Sequence, residues 1–272
     1  EVVVDATGPA AALARPLGVS NLDRERQAIG VEYEFEGVAL DHGDYADLHD
    51  AMMLRLDHDI APGGYSWIFH AGGDTAKVGL CYIQNEFHRQ RAREGMTIDD
   101  YLDYWLDTDP RFADADRIAG RQHRGSAHIQ RPGQLYTDGF LTVGDTVPTV
   151  DPVWGEGIRK GMQSGRAAAV TIDSALTGGR DTTAEELSFY ETLWHEQVAP
   201  KMGVRLLMTE LLYFAPNERY DTLLADLAAT DRDTLREINN GNRLAMRKLF
   251  HPSDIALLSK FAWQRLDRTL PF

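Results

Sequence analysis

Polar and apolar positions alternate most cleanly in "IGVEYEFEGVAL", from residue 29, where Val31, Tyr33 and Phe35 share one face and Glu32, Glu34 and Glu36 the other. That period of two predicts a half-buried strand. Further strand candidates are "GYSWIFHA" from Gly64, "AKVGLCYI" from Ala76 and "RIAGRQHRGSAHI" from Arg117, with a helix between the last two. The Thr97 hydroxyl is placed to cap that helix, with Asp99 and Asp100 in its first turn beside the positive end of the dipole. Residues 29 to 131 therefore read as an antiparallel sheet with one or two helices.

On either side the pattern changes. "EVVVD" reads as a strand, and "ATGPAAALARPLGV" as a Gly/Pro turn leading into a short helix. "GFLTVGD", from Gly139, is a second strand, followed by a helix from Gly157 to about Leu176 that Gly178 and Gly179 stop. Beyond it the pattern is helical, over 187–198, 204–214, 222–229, 242–250 and 253–263, punctuated by Pro200, Pro216 and Pro252. No internal repeat or low-complexity segment interrupts this order.

With 272 residues and an ordinary apolar share, the chain can build one large domain or two modest ones. No run reaches the roughly 18 apolar residues of a membrane span, and no signal-like segment opens the chain, so a cytoplasmic protein is expected. The chain starts without methionine, directly on a strand-like run, and missing N-terminal sequence is expected. Cys81 is the one cysteine, which excludes an intrachain disulfide and a cysteine-built metal cluster. A net charge of −14 with no clustered basic surface argues against nucleic acid. Lysine occurs only at Lys77, Lys160, Lys201, Lys248 and Lys260, and the dense carboxylates suit solvation in high salt.

The candidate chemistry lies in "GDTVPTVDPVWGEGIRKGMQSG", residues 144–165. A strand ending at Gly144-Asp145 places a carboxylate at the carboxyl edge of a sheet, where ligands of α/β folds bind. Pro148 and Pro152 stiffen the loop, while Gly155 and Gly157 strip the backbone just before a helix, so that a flat ligand could meet main-chain N–H groups and the helix dipole. Gly161 and Gly165 would let another backbone approach the helix. The same spacing also suits a junction whose glycines serve packing alone.

The run Gly144-Asp145, Pro152, Gly155-Glu156-Gly157-Ile158, Ser164-Gly165, Ala167-Ala168 resembles the second FAD-binding motif of the flavoprotein hydroxylase and reductase superfamily. "VVVDATG", containing Thr7 and Gly8, resembles the strand-turn motif that precedes the substrate domain there. "PGGYSWIFHAGGDTAKVGL", residues 62–80, resembles the aromatic segment of geranylgeranyl reductases through Tyr65, Trp67 and Phe69, with His70-Ala71 departing from the usual Pro-Lys. The same three aromatics would also suit one face of a core strand. The likeness covers most of residues 1–180, without a GxGxxG motif in this sequence.

The resemblance implies an α/β fold with an α+β substrate region: a partial FAD-binding Rossmann-type domain (1–28 and 138–178) interleaved with an antiparallel β-sheet substrate domain (29–137), followed by a helical C-terminal region (179–272). Together with the acidic composition it implies a halophilic archaeal source. It implies FAD as cofactor, with Asp145 on the ribityl chain and backbone of Gly155 to Ile158 beside the flavin's pyrimidine edge; Thr7, Gly8 and Pro152 complete the cofactor set. Tyr65, Trp67 and Phe69 would line the place of an isoprenoid or lipid substrate, whose double bonds are saturated by hydride from reduced flavin. Tyr65 would order the substrate or relay the proton. No catalytic acid is assigned; His70, His123 and His128 are candidates only because imidazoles titrate in range. A nicotinamide or a ferredoxin would serve equally as electron donor. Leu206, Leu207, Leu211, Leu212 and Phe214 suit either a peripheral membrane contact or a packed core face. Two alternatives stay open: an FAD-dependent monooxygenase, and a flavin-free lipid-binding module.

Overall fold

The alternation from residue 29 does make a strand, the longest but one among the described residues. In chain order the computed structural model has β1 (Val3–Asp5), β2 (Gln27–Glu36), β3 (Met52–Arg55), β4 (Gly64–Gly72), β5 (Thr75–Ile83), helices α1 (Glu86–Arg91) and α2 (Ile98–Thr108), then β6 (Asp116–His128), β7 (Tyr136–Thr137) and β8 (Phe140–Thr142). Helices follow: α3 (Ile158–Thr177), α4 (Ala184–Leu187), α5 (Phe189–Leu193), a π-helical turn at Trp194–Val198, α6 (Met202–Tyr213), α7 (Asn217–Ala228), α8 (Arg232–Asn239) and α9 (Arg243–Met246). The structure describes residues 1–43, 47–252, 254, 255 and 259. The helix expected over 253–263 lies, apart from residues 254, 255 and 259, outside them. The chain forms two compact units, Glu1–Gln27 with Ala127–Leu212 and Ala229–Phe272, and Ala28–Ser126 with Tyr213–Ala228.

In the unit of Ala28–Ser126 and Tyr213–Ala228, five strands lie in the order β3-β4-β5-β2-β6, with β3–β4, β4–β5 and β5–β2 antiparallel. Val31, Phe35, Ile68, Val78 and Leu80 form one core with Ile98, Tyr101, Leu102 and Trp105 of α2. Burying side chains of this size stabilises by roughly 2 kcal/mol each. α2 starts where the sequence predicts, and a capping box closes it. Thr97 Oγ1 accepts from the Asp100 N–H, while the Asp100 carboxylate accepts from the Thr97 N–H at 2.7 Å. Glu32 and Glu34 depart from expectation. They are mostly covered, at 19% and 15% side-chain exposure, because Lys77 lies between them on the neighbouring strand and Trp67 donates to Glu32.

In the other unit, β1 runs parallel to β8 with Asp5 opposite Thr142, and β7 closes the three-stranded sheet. Leu141, Val147, Ala167 and Ala168 share a core with Leu187, Tyr190, Leu193, Trp194 and Val198. Tyr190 is fixed there by donating to the Thr142 carbonyl at 2.6 Å. After β1 the expected short helix is replaced by a 3-10 turn at Gly8–Ala10 and further turns. The cause is Asp5, whose carboxylate takes the N–H groups of Leu13 and Ala14 at 3.0 and 2.8 Å and competes with helical pairing. The helix expected over 187–198 is broken into α4, α5 and the π turn.

The unexpected elements are short or polar: edge strand β3, six-residue α1, and α8, which buries only Ile238. Among the described residues no helix is long and apolar enough to cross a membrane. Leu206 packs against the core around Trp194, and Phe214 is buried. The fold is a mixed α/β one with a helical C-terminal region.

Candidate functional site

Gly144 ends the β8 edge with φ +58°, a conformation that glycine adopts without penalty. Its N–H donates to Ser164 Oγ on α3 at 2.8 Å, and its carbonyl accepts from Thr149 Oγ1 at 2.6 Å. A Cβ on Gly161 would lie 3.9 Å from the Gly144 Cα, an ordinary contact, so the backbone of Gly144 is the neighbour of Gly161 without requiring a glycine there. Gly165 differs: among the described residues nothing lies within 4 Å of a Cβ built on it.

This anchoring turns Asp145 toward the start of α3. Among the described residues its carboxylate has no hydrogen-bond or ion-pair partner, and burial alone pushes its pKa above the usual carboxylate value. Gly157, the residue before α3, lies against it: a Cβ there would stand 3.3 Å from Asp145 Oδ2. No side chain caps α3, so its first N–H groups are left to a ligand or solvent. Gly155 takes φ +70°, Pro152 is buried, and Glu156 and Ile158 are exposed. One carboxylate without donors and one helix start without a cap thus lie side by side.

Thr7 and Gly8 border the same edge. Thr7 Oγ1 donates to Asp5 at 2.7 Å and accepts from the Ala12 N–H at 2.8 Å, while the Gly8 N–H reaches Thr146 Oγ1 at 3.2 Å. Thr7 Oγ1 is thus engaged within the fold. Asp5 and Thr146 were not singled out in the sequence, and the aspartate ending "VVVD" was the signal available.

The three aromatics belong to the other unit and share one face of β4. Tyr65 and Trp67 have ring centroids 5.6 Å apart, Trp67 and Phe69 6.1 Å, and Tyr213 stacks on Tyr65 at 5.5 Å. By register, Met52 and Leu54 of β3 and Gly79 of β5 join that face. Gly79 is required: a Cβ would fall 2.4 Å from the Trp67 ring. Trp67 Nε1 donates to Glu32 Oε2 at 2.9 Å, which fixes the indole flat over the glycine. Neither Glu32 nor Tyr213 was legible as a partner, since both contacts depend on cross-strand register or long-range packing.

The histidines are dispersed. His70 is half-buried, with its ring nitrogens 2.7 Å from the His49 carbonyl and 3.1 Å from that of Gly73. His123 is exposed on β6. His128 is buried with Nδ1 unpaired, and burial together with nearby Arg15 holds it below the usual histidine pKa.

A sequence profile of the geranylgeranyl reductase catalytic domain matches residues 33–119. A digeranylgeranylglycerophospholipid reductase of Haloferax volcanii is 63% identical over 263 residues, covering 96% of this chain and 64% of that protein. The chain belongs to the geranylgeranyl reductase family. Its fold agrees with a geranylgeranyl bacteriochlorophyll reductase-like protein of Thermoplasma acidophilum, with a TM-score of 0.76 at 21% identity over 96% of this chain and 61% of that one. A flavin-dependent brominase shares the fold at a TM-score of 0.61 and 20% identity, over 99% and 63% of the two chains. The chain spans less than two thirds of the length of the relatives it matches.

Proposed function

We propose that this member of the geranylgeranyl reductase family is an FAD-dependent oxidoreductase that saturates isoprenoid double bonds of a polar lipid. The observation that carries the reading is the partnerless Asp145 carboxylate beside the uncapped start of α3, with Gly157 leaving the space between them open. A polyhydroxylated chain offers donors to such a carboxylate, and an electron-rich ring edge suits free helix N–H groups. The ribityl chain and pyrimidine edge of FAD combine both. The name of the 63% identical relative supports an isoprenoid glycerophospholipid as substrate.

Asp145 would accept from ribityl hydroxyls, and the backbone of Gly155, Glu156, Gly157 and Ile158 would face the ring, with Pro152, Thr7 and Gly8 shaping the edge. When bound, FAD supplies hydride chemistry toward an alkene, with electrons from a nicotinamide or a ferredoxin. Residues 1–28 and 138–178 would serve the cofactor and 29–137 the substrate, with 179–272 as a helical region. Tyr65, Trp67 and Phe69 form a row of neighbouring aromatic rings, and Gly79 leaves room for the Trp67 ring to lie flat within it. An isoprenoid laid along it is held by area rather than by directed bonds.

The test is the visible absorption of the full-length protein purified in high salt, beside Asp145→Ala, followed by anaerobic turnover of a geranylgeranylated phospholipid with chemically reduced enzyme. Flavin absorption that weakens in the variant, together with saturated product, supports the proposal. A folded protein that stays colourless with added FAD overturns it. Oxygen consumption with a hydroxylated product would replace the reductase with a monooxygenase.

A further inference from the structure

We infer that Arg205 is a positioning residue for the turn at Asp151–Gly157, acting through Asp151 and Asn239 rather than on a ligand. The inference rests on the flavin reading of Asp145 and Gly157, and all of its residues lie in one compact unit. The turn is closed at its neck: the Asp151 N–H donates to the Glu156 carbonyl at 2.9 Å, and the Gly155 N–H donates to the Asp151 carbonyl at 2.8 Å. Inside, Asp151 Oδ1 accepts from the Val153 N–H at 3.0 Å and the Trp154 N–H at 3.4 Å. These local bonds give the turn its shape but do not fix it to the rest of the fold.

Arg205, on α6, supplies that attachment. Its Nη2 donates to Asp151 Oδ1 at 2.6 Å, and its Nη1 donates to the Asn239 carbonyl at the end of α8, also at 2.6 Å. The same Asn239 holds the turn again, its Oδ1 accepting from Trp154 Nε1 at 3.0 Å. One guanidinium and one asparagine therefore clamp the turn to two helices remote in sequence. Asp151 is buried, and Arg205 is its one ion-pair partner within 4 Å among the described residues. The buried Lys160, beside Asp151 and Arg205, donates instead to the Val198 carbonyl. Removing the guanidinium would leave the Asp151 carboxylate buried without its ion-pair partner, so the turn would open toward water. The N–H groups of Gly157 and the first turn of α3 would then lose their preset positions, and a flat ligand would have to order them on binding.

The experiment compares wild type, Arg205→Met, Arg205→Lys and Trp154→Phe as full-length proteins, by hydrogen exchange without flavin and by FAD titration. Exchange over residues 151–158 is expected to rise at least tenfold in Arg205→Met with the β4–β5 hairpin unchanged, to recover in part in Arg205→Lys, and to rise a few-fold in Trp154→Phe. FAD binding should weaken in the same order. Unchanged exchange over 151–158 overturns the positioning role. Raised exchange with unchanged FAD affinity, in a wild type that binds FAD, also overturns it. If Arg205→Met does not fold, wild-type behaviour of Arg205→Lys and Trp154→Phe in both measurements overturns it. A folded wild type that binds no FAD defeats the flavin reading instead, while the exchange data still decide whether Arg205 holds the turn.

Discussion

Two aspartates stand at the carboxyl edge of the same sheet, one strand apart. Asp5 ends β1, and Asp145 lies three residues past β8, its parallel neighbour. Asp5 is fully buried and accepts four hydrogen bonds, from Thr7 N–H and Oγ1, Leu13 N–H and Ala14 N–H. Burial works against its charge, yet those donors prevail and hold its pKa below the usual carboxylate value. Asp145 has burial without the donors, and its pKa moves up. The residue type is the same and both lie at one sheet edge; the supply of donors separates a structural brace from a carboxylate that has no partner among the described residues.

The largest effect expected from this difference is at Asp5. Asp5→Ala leaves the N–H groups of Thr7, Leu13 and Ala14 without their acceptor, and stability should fall by about 3 kcal/mol or more. A chemical denaturation midpoint corresponding to less than about 1 kcal/mol would break the contrast. The pH dependence carries the same opposition. The folded pKa of Asp5 is depressed, so its stabilisation is present above the unfolded value of 3.8 and is lost as pH falls through the folded value. The folded pKa of Asp145 is raised, so its ionisation opposes folding at neutral pH and that penalty is relieved as pH falls through the raised value. Thermal melts of flavin-free Asp145→Asn should lack this gain on acidification, while the acid limb due to Asp5 remains.

At Asp145 the two readouts should move apart. Asp145→Ala removes a half-buried charge that has no partner among the described residues, so the flavin-free protein should melt at the same temperature or higher. FAD affinity should fall by about thirtyfold, the worth of a hydrogen bond to a charged group. A joint loss of stability and affinity would make Asp145 a brace like Asp5. Gly157→Ala is subtler. The φ of −110° suits alanine, but the new methyl would stand 3.3 Å from Asp145 Oδ2. FAD affinity should drop about fivefold with the melting temperature unchanged, as overpacking of a ligand space predicts.

How much of this was legible follows from the range of each interaction. β2, β4, β5, α2 and α3 were readable because their periodicity, caps and stopping glycines lie within a dozen or so residues. β3 was not, because its alternate residues Met52 and Leu54 sit exposed on an edge strand and carry no burial signal. In the site, Gly144-Asp145 and Gly155 to Gly157 were readable as residue types. The absence of any donor to Asp145 among the described residues was not, since it depends on long-range packing rather than on its neighbours in sequence. The breaking of the expected helix over 187–198 is a tertiary effect of the same kind: Tyr190 and Trp194 are fully buried against the sheet side, and the backbone widens to a π turn at Trp194–Val198 to keep them there.

The smallest effect expected is in the other unit, where it sharpens the contrast by exclusion. α2 spends its N-terminal donors inside the fold, through the reciprocal bonds of Thr97 and Asp100, whereas α3 has no side-chain cap. If uncapped ends are kept for ligands and capped ends for stability, Thr97→Ala should lower stability by about 1 kcal/mol and leave FAD affinity at the wild-type value. Paired denaturation and titration check it. A Thr97→Ala protein that loses FAD affinity would mean that general loosening of the fold, rather than the local chemistry of Asp145 and the α3 start, governs binding, and the affinity losses at Asp145 and Gly157 would then need the same explanation.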